Sequence, residues 1–213
     1  MKMNHTIWDD SIRNFIKQAG SSSPTPGGGS VAALIAALGA SMTSMVGNLS
    51  QGEKFAPIQP QVAEVIEQMS SLTVVCEQLL YDDITSFNKY MHALKLPKMT
   101  DEEKLLRKNA LHEATIHAID VPLRLIEVCR VGMVCTHSIA ESANKNVISD
   151  LGIGAILFEA AAQSALLTIE INLVSLKDLE LKREYSEKLS SLIREIEDLK
   201  SKAIQVTRER IMH

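Results

Sequence analysis

The sequence predicts an all-α protein, a helical bundle formed by a single domain that spans residues 1–213. Only eight residues are aromatic, so alanines and aliphatic side chains must fill the core, which favours closely packed helices over a sheet. Four of the ten glycines and two of the six prolines lie between Gly20 and Gly29, whereas residues 155–213 contain neither. That last stretch must be mostly helical. We find no strand pattern of useful length and no internal repeat.

Apolar residues at intervals of three and four predict the long helices in chain order. One such pattern runs from Val62 to Leu94 and stops before Pro97. The sequence Thr100-Asp-Glu-Glu103 is typical of a capping box and begins the next helix. Pro122 lies inside that helix, where it removes a hydrogen bond, so we expect one helix of the bundle to be kinked or broken at this proline.

Two helices rich in small residues, beginning at about Ser30 and about Ser149, are expected at the centre of the bundle. Residues 21–52 carry no charge, and the many alanines in both helices permit close approach of their backbones. The uncharged segment is long enough to span a membrane. Polar interruptions and the lack of a Lys/Arg collar favour a buried helix instead, shielded on nearly every side, with a second copy of the chain as one possible cover.

The charge balance and the cysteines restrict the possible partners. The formal net charge is −4, and no basic run is present, so nucleic acid is not expected as the main partner. Three cysteines without CxxC spacing are typical of free thiols in a reducing compartment. The segment Met1 to Phe15 contains charges and no apolar core, so it does not resemble a secretory signal. We therefore expect a cytoplasmic protein that is not in a membrane.

The sequence predicts no metal site. His112, Glu113 and His117 resemble a zincin motif, but the two histidines are five residues apart instead of four. They therefore diverge by about 140° around a helix and cannot share one zinc ion.

A glycine-rich segment is the first candidate for a binding site. Gly27, Gly28 and Gly29 are followed by Ser30, which can cap the helix that begins there. Exposed backbone N–H groups at a helix N-terminus bind anions and carboxylates. The spacing is neither that of a P-loop nor that of a dinucleotide fingerprint. A flexible linker or a simple cap is the alternative.

Three aspartates are candidates for acid–base chemistry. Asp82 and Asp83 lie within a predicted helix and point about 100° apart, so at most one can face the core. An inward-facing Asp83 would be costly without a function. Asp150, preceded by Ser149, begins the second small-residue helix, where a capping role is the alternative to a carboxylate aimed into a cleft.

Five groups of short motifs occur in a fixed order: Ser23-Pro-Thr-Pro-Gly-Gly-Gly-Ser-Val-Ala-Ala33; Met45-Val-Gly-Asn-Leu49 with Gly52-Glu-Lys54; Asp83-Ile-Thr-Ser-Phe87 with Leu96-Pro-Lys98; Ala118-Ile-Asp-Val-Pro-Leu123; and Asn146-Val-Ile-Ser-Asp-Leu-Gly152 with Ile171-Asn-Leu173. Together they resemble the formiminotetrahydrofolate cyclodeaminase and methenyltetrahydrofolate cyclohydrolase family, and they spread over roughly residues 5–205. Each motif is weak alone, but five in order are specific.

The resemblance implies an all-helical, homodimeric domain that acts on a reduced folate as its small-molecule substrate. It implies no metal and no tightly bound cofactor. Asp150 and Asp83 are then the acid–base candidates, and Ser149 and Ser30 are orienting hydroxyls. Further substrate contacts are expected from the following residues: Gly27, Gly28, Gly29, Asn48, Lys54 and Asn172.

The implied reaction forms or opens the 5,10-methenyltetrahydrofolate ring. A cyclodeaminase that releases ammonia is the leading hypothesis, and a methenyltetrahydrofolate cyclohydrolase is the alternative. A helical interaction module without enzymatic activity is the competing class. Tyr81 stands where the family often has an acidic residue, which leaves the number of carboxylates in the site open. No formiminotransferase domain is recognisable in the chain, so the substrate is expected to be made elsewhere.

Overall fold

The structure, a computed structural model, describes residues 7–213. Its helices are α1 (Ile12–Ala19), α2 (Gly28–Asn48), α3 (Gln59–Lys95), α4 (Asp101–Ser138), α5 (Ile148–Ser175) and α6 (Leu179–Met212). Short 3-10 helices, Ile7–Asp9, Glu53–Ile58 and Lys145–Val147, precede α1, α3 and α5. Residues 7–213 contain no strand, so the prediction of an all-α bundle is confirmed. The first six residues, part of the segment considered for a secretory signal, lie outside the described residues.

Side chains cap α4 and α6 at their first turns, whereas α2, α3 and α5 have no side-chain cap. The Thr100 hydroxyl accepts a 3.2 Å hydrogen bond from the Glu103 N–H, and the Glu103 carboxylate accepts one of 3.1 Å from the Thr100 N–H. The predicted capping box is therefore confirmed. Asp178 caps α6 by accepting hydrogen bonds from the N–H groups of Glu180 and Leu181, both at 3.1 Å. The predicted helical stretch 155–213 is therefore two helices, and the break between them contains neither glycine nor proline.

The helices α2 to α6 form the bundle, and the small-residue helices α2 and α5 pack directly against each other. α2 also contacts α3, while α4 packs against α3 and α5, and α6 covers α4 and α5. A Cβ added to Gly39 would lie 3.2 Å from the Gly154 carbonyl oxygen, so larger residues cannot replace these glycines without a shift. The fully buried alanines of the two helices include Ala32, Ala33, Ala36, Ala40, Ala155, Ala161, Ala162 and Ala165.

α2 and α3 are antiparallel, which defines the two ends of the bundle. Gly29, at the start of α2, lies against Asp83 in the second half of α3. Gly47, near the end of α2, lies against Ile66 in the first half of α3. We call the end that contains Gly29 and Asp83 the glycine-loop end, and the other the opposite end.

One apolar face of the two small-residue helices is uncovered in a single chain. On α5, Leu167, Ile171 and Val174 are 67%, 72% and 78% exposed, and Leu38 on α2 is 47% exposed. Residues four or three apart lie on one side of a helix, so the α5 residues form a stripe. The expected shielding on nearly every side is therefore incomplete within one chain.

Two segments pass a length and composition test for membrane spans. They are Gly28–Asn48 and Lys145–Ser175, with mean hydropathies of 1.6 and 1.5, and 56% and 44% of their most apolar windows are buried in the bundle. A core helix passes the same test, so the finding is weak support for a membrane span.

Pro122 is buried inside α4, which is assigned as helix from Asp101 to Ser138 without interruption. The proline therefore does not break the helix. The kink expected at this position stays a prediction.

Candidate active site

A carboxylate and a hydroxyl meet at the start of α2. Asp83 on α3 accepts a 2.7 Å hydrogen bond at Oδ2 from the Ser30 hydroxyl, and Ser30 is fully buried. Gly29 lies against the same carboxylate, because a Cβ added to it would overlap the Asp83 oxygens. The structure thus brings together three residues that the sequence singled out, although 53 positions separate Ser30 from Asp83.

The adjacent residues Asp82 and Asp83 have different surroundings. Burial raises the pKa of Asp83 above its ordinary value of 3.8, and hydrogen bonds from the Ser30 hydroxyl and backbone N–H oppose that rise. The pKa of this carboxyl is thus raised in the direction of neutral pH, which suits a group that both takes and returns a proton. Asp82 points instead to the side of α3 that meets Arg124, with an ion pair of 3.3 Å. One aspartate of the pair faces inward, consistent with the 100° angle between adjacent helical residues.

The Asp83 carboxylate borders a small, mostly apolar hollow. Its volume is about 10 Å³, which is about the space of one water molecule. The lining residues are Gly29, Leu79, Asp83, Val121, Pro122 and Leu125. Pro122 therefore lies at the site as well as inside α4, and the hollow is too small for a folate ring without movement of its walls.

A second polar pair lies on the same half of the molecule and escaped the sequence analysis. The Tyr185 hydroxyl of α6 donates a 2.7 Å hydrogen bond to Oδ1 of Asp120 on α4. Burial, and then Asp120, raise the pKa of Tyr185 above its ordinary value of 10.0. Asp120 lies within the motif Ala118 to Leu123, two residues before Pro122. This position in a family motif is the sequence signal that could have identified Asp120 as a candidate site residue.

Asn172, a predicted substrate contact, lies beside α4 at the glycine-loop end. Its side-chain NH₂ donates to the carbonyl oxygens of Ala118, at 3.3 Å, and Thr168, at 2.7 Å. These hydrogen bonds hold the amide of α5 against the segment that carries Asp120.

The other two glycines of the loop frame the start of α2. Gly27 is the N-cap of the helix and is half-buried, so the expectation that Ser30 caps α2 is wrong: the helix begins at Gly28 and the Ser30 hydroxyl donates to Asp83 instead. Gly28 is exposed, with no atom within 4 Å of an added Cβ. The first N–H groups of an α-helix have no partner within the helix, and that of Ser30 donates to Asp83. The role of the loop glycines as donors to a substrate stays a prediction.

Asp150 and Ser149 lie at the opposite end of the bundle. Asp150 is in the first turn of α5, four residues before Gly154, which contacts Gly39 and Thr43 of α2. At a rise of 1.5 Å per residue, this register puts Asp150 and Asp83 on the order of 20 Å apart. A single chain does not bring the two candidate carboxylates into one site.

The remaining predicted contacts also lie at the opposite end. Asn48 is in the last turn of α2, exposed, with its side-chain NH₂ 3.5 Å from the Ser44 hydroxyl oxygen. Lys54 is exposed, with its ammonium 5.6 Å from the centre of the Phe55 ring. Neither residue lies near Asp83, and their proposed roles stay predictions.

In the part of the chain that the structure describes, no group of three His, Cys, Asp or Glu side chains could hold a metal ion. Cys76 and Cys129 are buried free thiols. Burial raises the pKa of Cys76 to about 12, which leaves this thiol protonated and unreactive near neutral pH.

Comparison with known sequences decides the family. The profile of the formiminotransferase-cyclodeaminase family matches residues 11–191. This protein belongs to the formiminotransferase-cyclodeaminase family. The family predicted from the five groups of motifs is therefore confirmed.

Two curated relatives show how family members differ in length. Methenyltetrahydrofolate cyclohydrolase of Methylorubrum extorquens is 34% identical over 204 residues, which cover 95% of this chain and 98% of that protein. Formimidoyltransferase-cyclodeaminase of Mus musculus is 34% identical over 191 residues, which cover 89% of this chain but 35% of the mouse protein. The chain therefore corresponds to a whole cyclohydrolase in one case and to one part of a larger protein in the other.

A solved structure has the same fold. The crystal structure of formiminotetrahydrofolate cyclodeaminase from Thermotoga maritima superposes with a TM-score of 0.87 and covers 96% of this chain and 98% of its own. At 24% sequence identity, the match supports the helical architecture of the family member described here.

Proposed function

We propose that this protein catalyses chemistry at the carbon that bridges N5 and N10 of tetrahydrofolate, foremost as a formiminotetrahydrofolate cyclodeaminase that releases ammonia. Family membership supports the substrate class. The observation that carries the proposal is the Asp83 carboxyl, which Ser30 holds beside the glycine-rich start of α2 and whose pKa is raised by burial.

The cyclodeaminase reaction needs one proton to move between two nitrogens. In the substrate, N10 attacks the carbon of the protonated formimino group on N5, and the N10 proton must leave as the five-membered ring closes. The amino group of the resulting tetrahedral carbon must then gain a proton before ammonia departs and the methenyl cation forms. Asp83 takes the proton from N10 and returns it to the amino group, so that a single carboxylate completes the cycle.

The other groups of the site position this carboxylate and the substrate. Ser30 fixes the Asp83 carboxylate through Oδ2, and Gly29 leaves the room that the carboxylate occupies. The N–H groups of Gly27 and Gly28 donate hydrogen bonds to acceptor atoms of the folate. Because the nucleophile is part of the substrate, much of the acceleration comes from holding the conformer in which N10 faces the formimino carbon.

A methenyltetrahydrofolate cyclohydrolase is the second candidate, because the Methylorubrum extorquens relative that carries this name matches the chain almost end to end. In that reaction water adds to the same carbon and the ring opens. Asp83 takes one proton from the water and returns it to the nitrogen that leaves, and the remaining hydroxyl proton passes to solvent as the formyl group forms. The same site therefore serves either reaction.

We also propose a homodimer that buries the apolar stripe of α5 together with the exposed face of α2. The exposed stripe, Leu167, Ile171 and Val174, supports this, since contiguous apolar surface of this kind is typical of an interface. Within one chain Asp150 is remote from Asp83, so Asp150 can take part in catalysis only if a second protomer brings the start of its α5 to the glycine-loop end. Localisation in the cytoplasm, no tightly bound cofactor and no nucleic-acid or membrane partner complete the proposal.

The experiment that tests the function is a spectrophotometric assay of the purified protein with 5-formiminotetrahydrofolate and with 5,10-methenyltetrahydrofolate, side by side. We expect the methenyl absorbance to rise with the first substrate while ammonia is released in equal amount. Loss of that absorbance with the second substrate alone would assign the cyclohydrolase reaction. The interaction-module hypothesis predicts neither reaction, and no thermal stabilisation by 5-formyltetrahydrofolate.

A further inference from the structure

A basic groove lies next to the candidate active site, at the glycine-loop end. It has a volume of about 730 Å³, within the range of small-molecule sites. Five of its lining residues are cations, namely Lys98, Lys104, Arg107, Lys108 and Lys177. Asp178 is its one lining carboxylate, and Oδ1 of that side chain already accepts two hydrogen bonds as the cap of α6. The groove is therefore strongly electropositive, although the whole chain has a net charge of −4.

The groove forms because α3 and α4 extend beyond the start of α2. From Asp83, α3 continues for 12 residues to Lys95, about 18 Å. The N-terminus of α2 contacts Asp83, so the space farther along the α3–α4 hairpin is not filled by α2. The segment between α5 and α6, which contains Lys177, borders this space from the other side.

The groove and the Asp83 hollow share one face of the α3–α4 hairpin. Tyr90 lines the groove and lies seven residues after Asp83, and Thr115 lines the groove and lies seven residues before Pro122. Seven residues are two helical turns, so each pair lies on the same side of its helix, about 10 Å apart. A ligand that is elongated along the hairpin can therefore reach both places.

Four of the five cations have no acidic partner within residues 7–213. Lys104 pairs with Asp101 at 2.8 Å, and Arg107 donates to the Leu94 carbonyl oxygen at 3.2 Å. In contrast, Lys98, Lys108 and Lys177 make no ion pair with any described residue. Unpaired cations that converge on one groove are suited to an anionic ligand with more than one carboxylate.

We propose that this groove binds the glutamate end of the folate substrate, with Lys108 and Lys177 as the residues that recognise its two carboxylates. This inference rests on the proposed function, because it places the reacting carbon at Asp83. The aminobenzoyl ring then lies along the wall that contains Tyr90 and Leu111. The groove acts in substrate binding and not in proton transfer.

Calorimetric titration with two unreactive ligands tests the proposal. The ligands are 5-formyltetrahydrofolate and 5-formyltetrahydropteroate, which lacks the glutamate. The variant is Lys108→Gln with Lys177→Gln, both exposed side chains. The matched control is Lys200→Gln with Lys202→Gln on α6, of which Lys200 lies 22 residues beyond Asp178 and so about 33 Å away along the helix.

We expect the variant to bind the glutamate-bearing ligand roughly tenfold more weakly than the wild-type protein does, while both proteins bind the pteroate equally. The control should match the wild-type protein with both ligands, and added salt should reduce the advantage of the glutamate. An equal effect on both ligands, or no effect on either, would overturn the groove proposal and leave the proposed function intact. A wild-type protein that binds neither ligand would overturn both.

Discussion

The Ser30 hydroxyl donates a 2.7 Å hydrogen bond to the Asp83 carboxylate, and this contact joins the start of α2 to the second half of α3. It places a partly buried carboxylate at the positive end of a helix. Burial raises the pKa of Asp83, and the groups of Ser30 lower it. The balance between these two effects controls how easily Asp83 exchanges a proton, and the first predictions concern the residues that set it.

Replacing Gly29 with alanine should displace the Asp83 carboxylate, because the new Cβ would overlap its oxygens. We expect a loss of about 1–3 kcal/mol in the free energy of unfolding, as for an overpacked site, and a large loss of kcat. Gly28→Ala is the matched control for the change in stability, since nothing lies within 4 Å of a Cβ there. Chemical denaturation and steady-state kinetics measure both effects. Equal behaviour of the two variants would contradict the close contact between Gly29 and Asp83.

Replacing Ser30 with alanine should raise the pKa of Asp83 further, because it removes the hydroxyl that stabilises the carboxylate. The acidic limb of the pH profile of kcat, where Asp83 must be ionised to take a proton, should then move to higher pH. Ser41→Ala, an exposed position on α2, is the control. A limb that stays in place or moves to lower pH would show that Ser30 does not tune Asp83.

The raised pKa of Asp83 also predicts a pH-dependent cost in stability. Folding penalises the ionised carboxylate, so the cost is absent below the ordinary pKa of 3.8 and grows as the pH rises through the folded-state value. Asp83→Asn removes the ionisable group. Its free energy of unfolding, relative to that of the wild-type protein, should therefore rise as the pH increases from about 4 towards neutrality. Denaturant titrations at several pH values measure this, and a relative stability that falls with pH would be inconsistent with a buried carboxylate.

The pair Tyr185 and Asp120 should stabilise the contact between α6 and α4. Tyr185→Phe removes a 2.7 Å hydrogen bond and should cost about 1 kcal/mol or somewhat more, since the acceptor is a carboxylate. A double-mutant cycle with Asp120→Ala, which removes the acceptor, isolates the pairwise part of this energy. A coupling energy near zero would mean that the hydrogen bond does not contribute to stability in solution.

Mixing two inactive variants tests whether Asp150 serves a site shared between protomers. If the partner supplies Asp150, Asp83→Asn and Asp150→Asn should each abolish turnover. Heterodimers of the two should then regain one intact site, because one Asp83 and one Asp150 remain unaltered at the same interface. Activity that returns after subunit exchange supports the shared site. An active Asp150→Asn homodimer, or two inactive variants that do not complement each other, would exclude it.

Local sequence signals predicted much of the fold. The capping box at Thr100 begins α4 where expected, and the breaker-free C-terminal region is almost entirely helical. The position at which α5 ends and α6 begins was not predicted, because glycine and proline were taken as the signals for a helix end. Asp178 ends that stretch by capping the next helix, which is a weaker signal in a sequence because aspartate is also common on helix surfaces.

Local sequence patterns predicted less of the candidate site than of the fold. The sequence singled out Gly29, Ser30 and Asp83 separately, but the contact among them depends on the antiparallel packing of α2 and α3. Asp150 had a different local signature, a carboxylate in the first turn of a small-residue helix, whereas Asp83 lies inside α3. Only the register of α2 and α5 shows that the two lie at different ends of one chain. The pair Tyr185 and Asp120 was missed because the residues are 65 positions apart.

The central claim is that Asp83 carries out the proton transfer, and Asp83→Asn tests it most directly. Asp82→Asn is the matched control, because it makes the same substitution at the neighbouring residue, which pairs with Arg124. Single-turnover kinetics with the active substrate should show a rate at least about 100-fold lower for Asp83→Asn and a nearly unchanged rate for Asp82→Asn. Calorimetric titration with 5-formyltetrahydrofolate should show that Asp83→Asn still binds this ligand. A folded Asp83→Asn protein that turns over substrate at the wild-type rate would contradict the account.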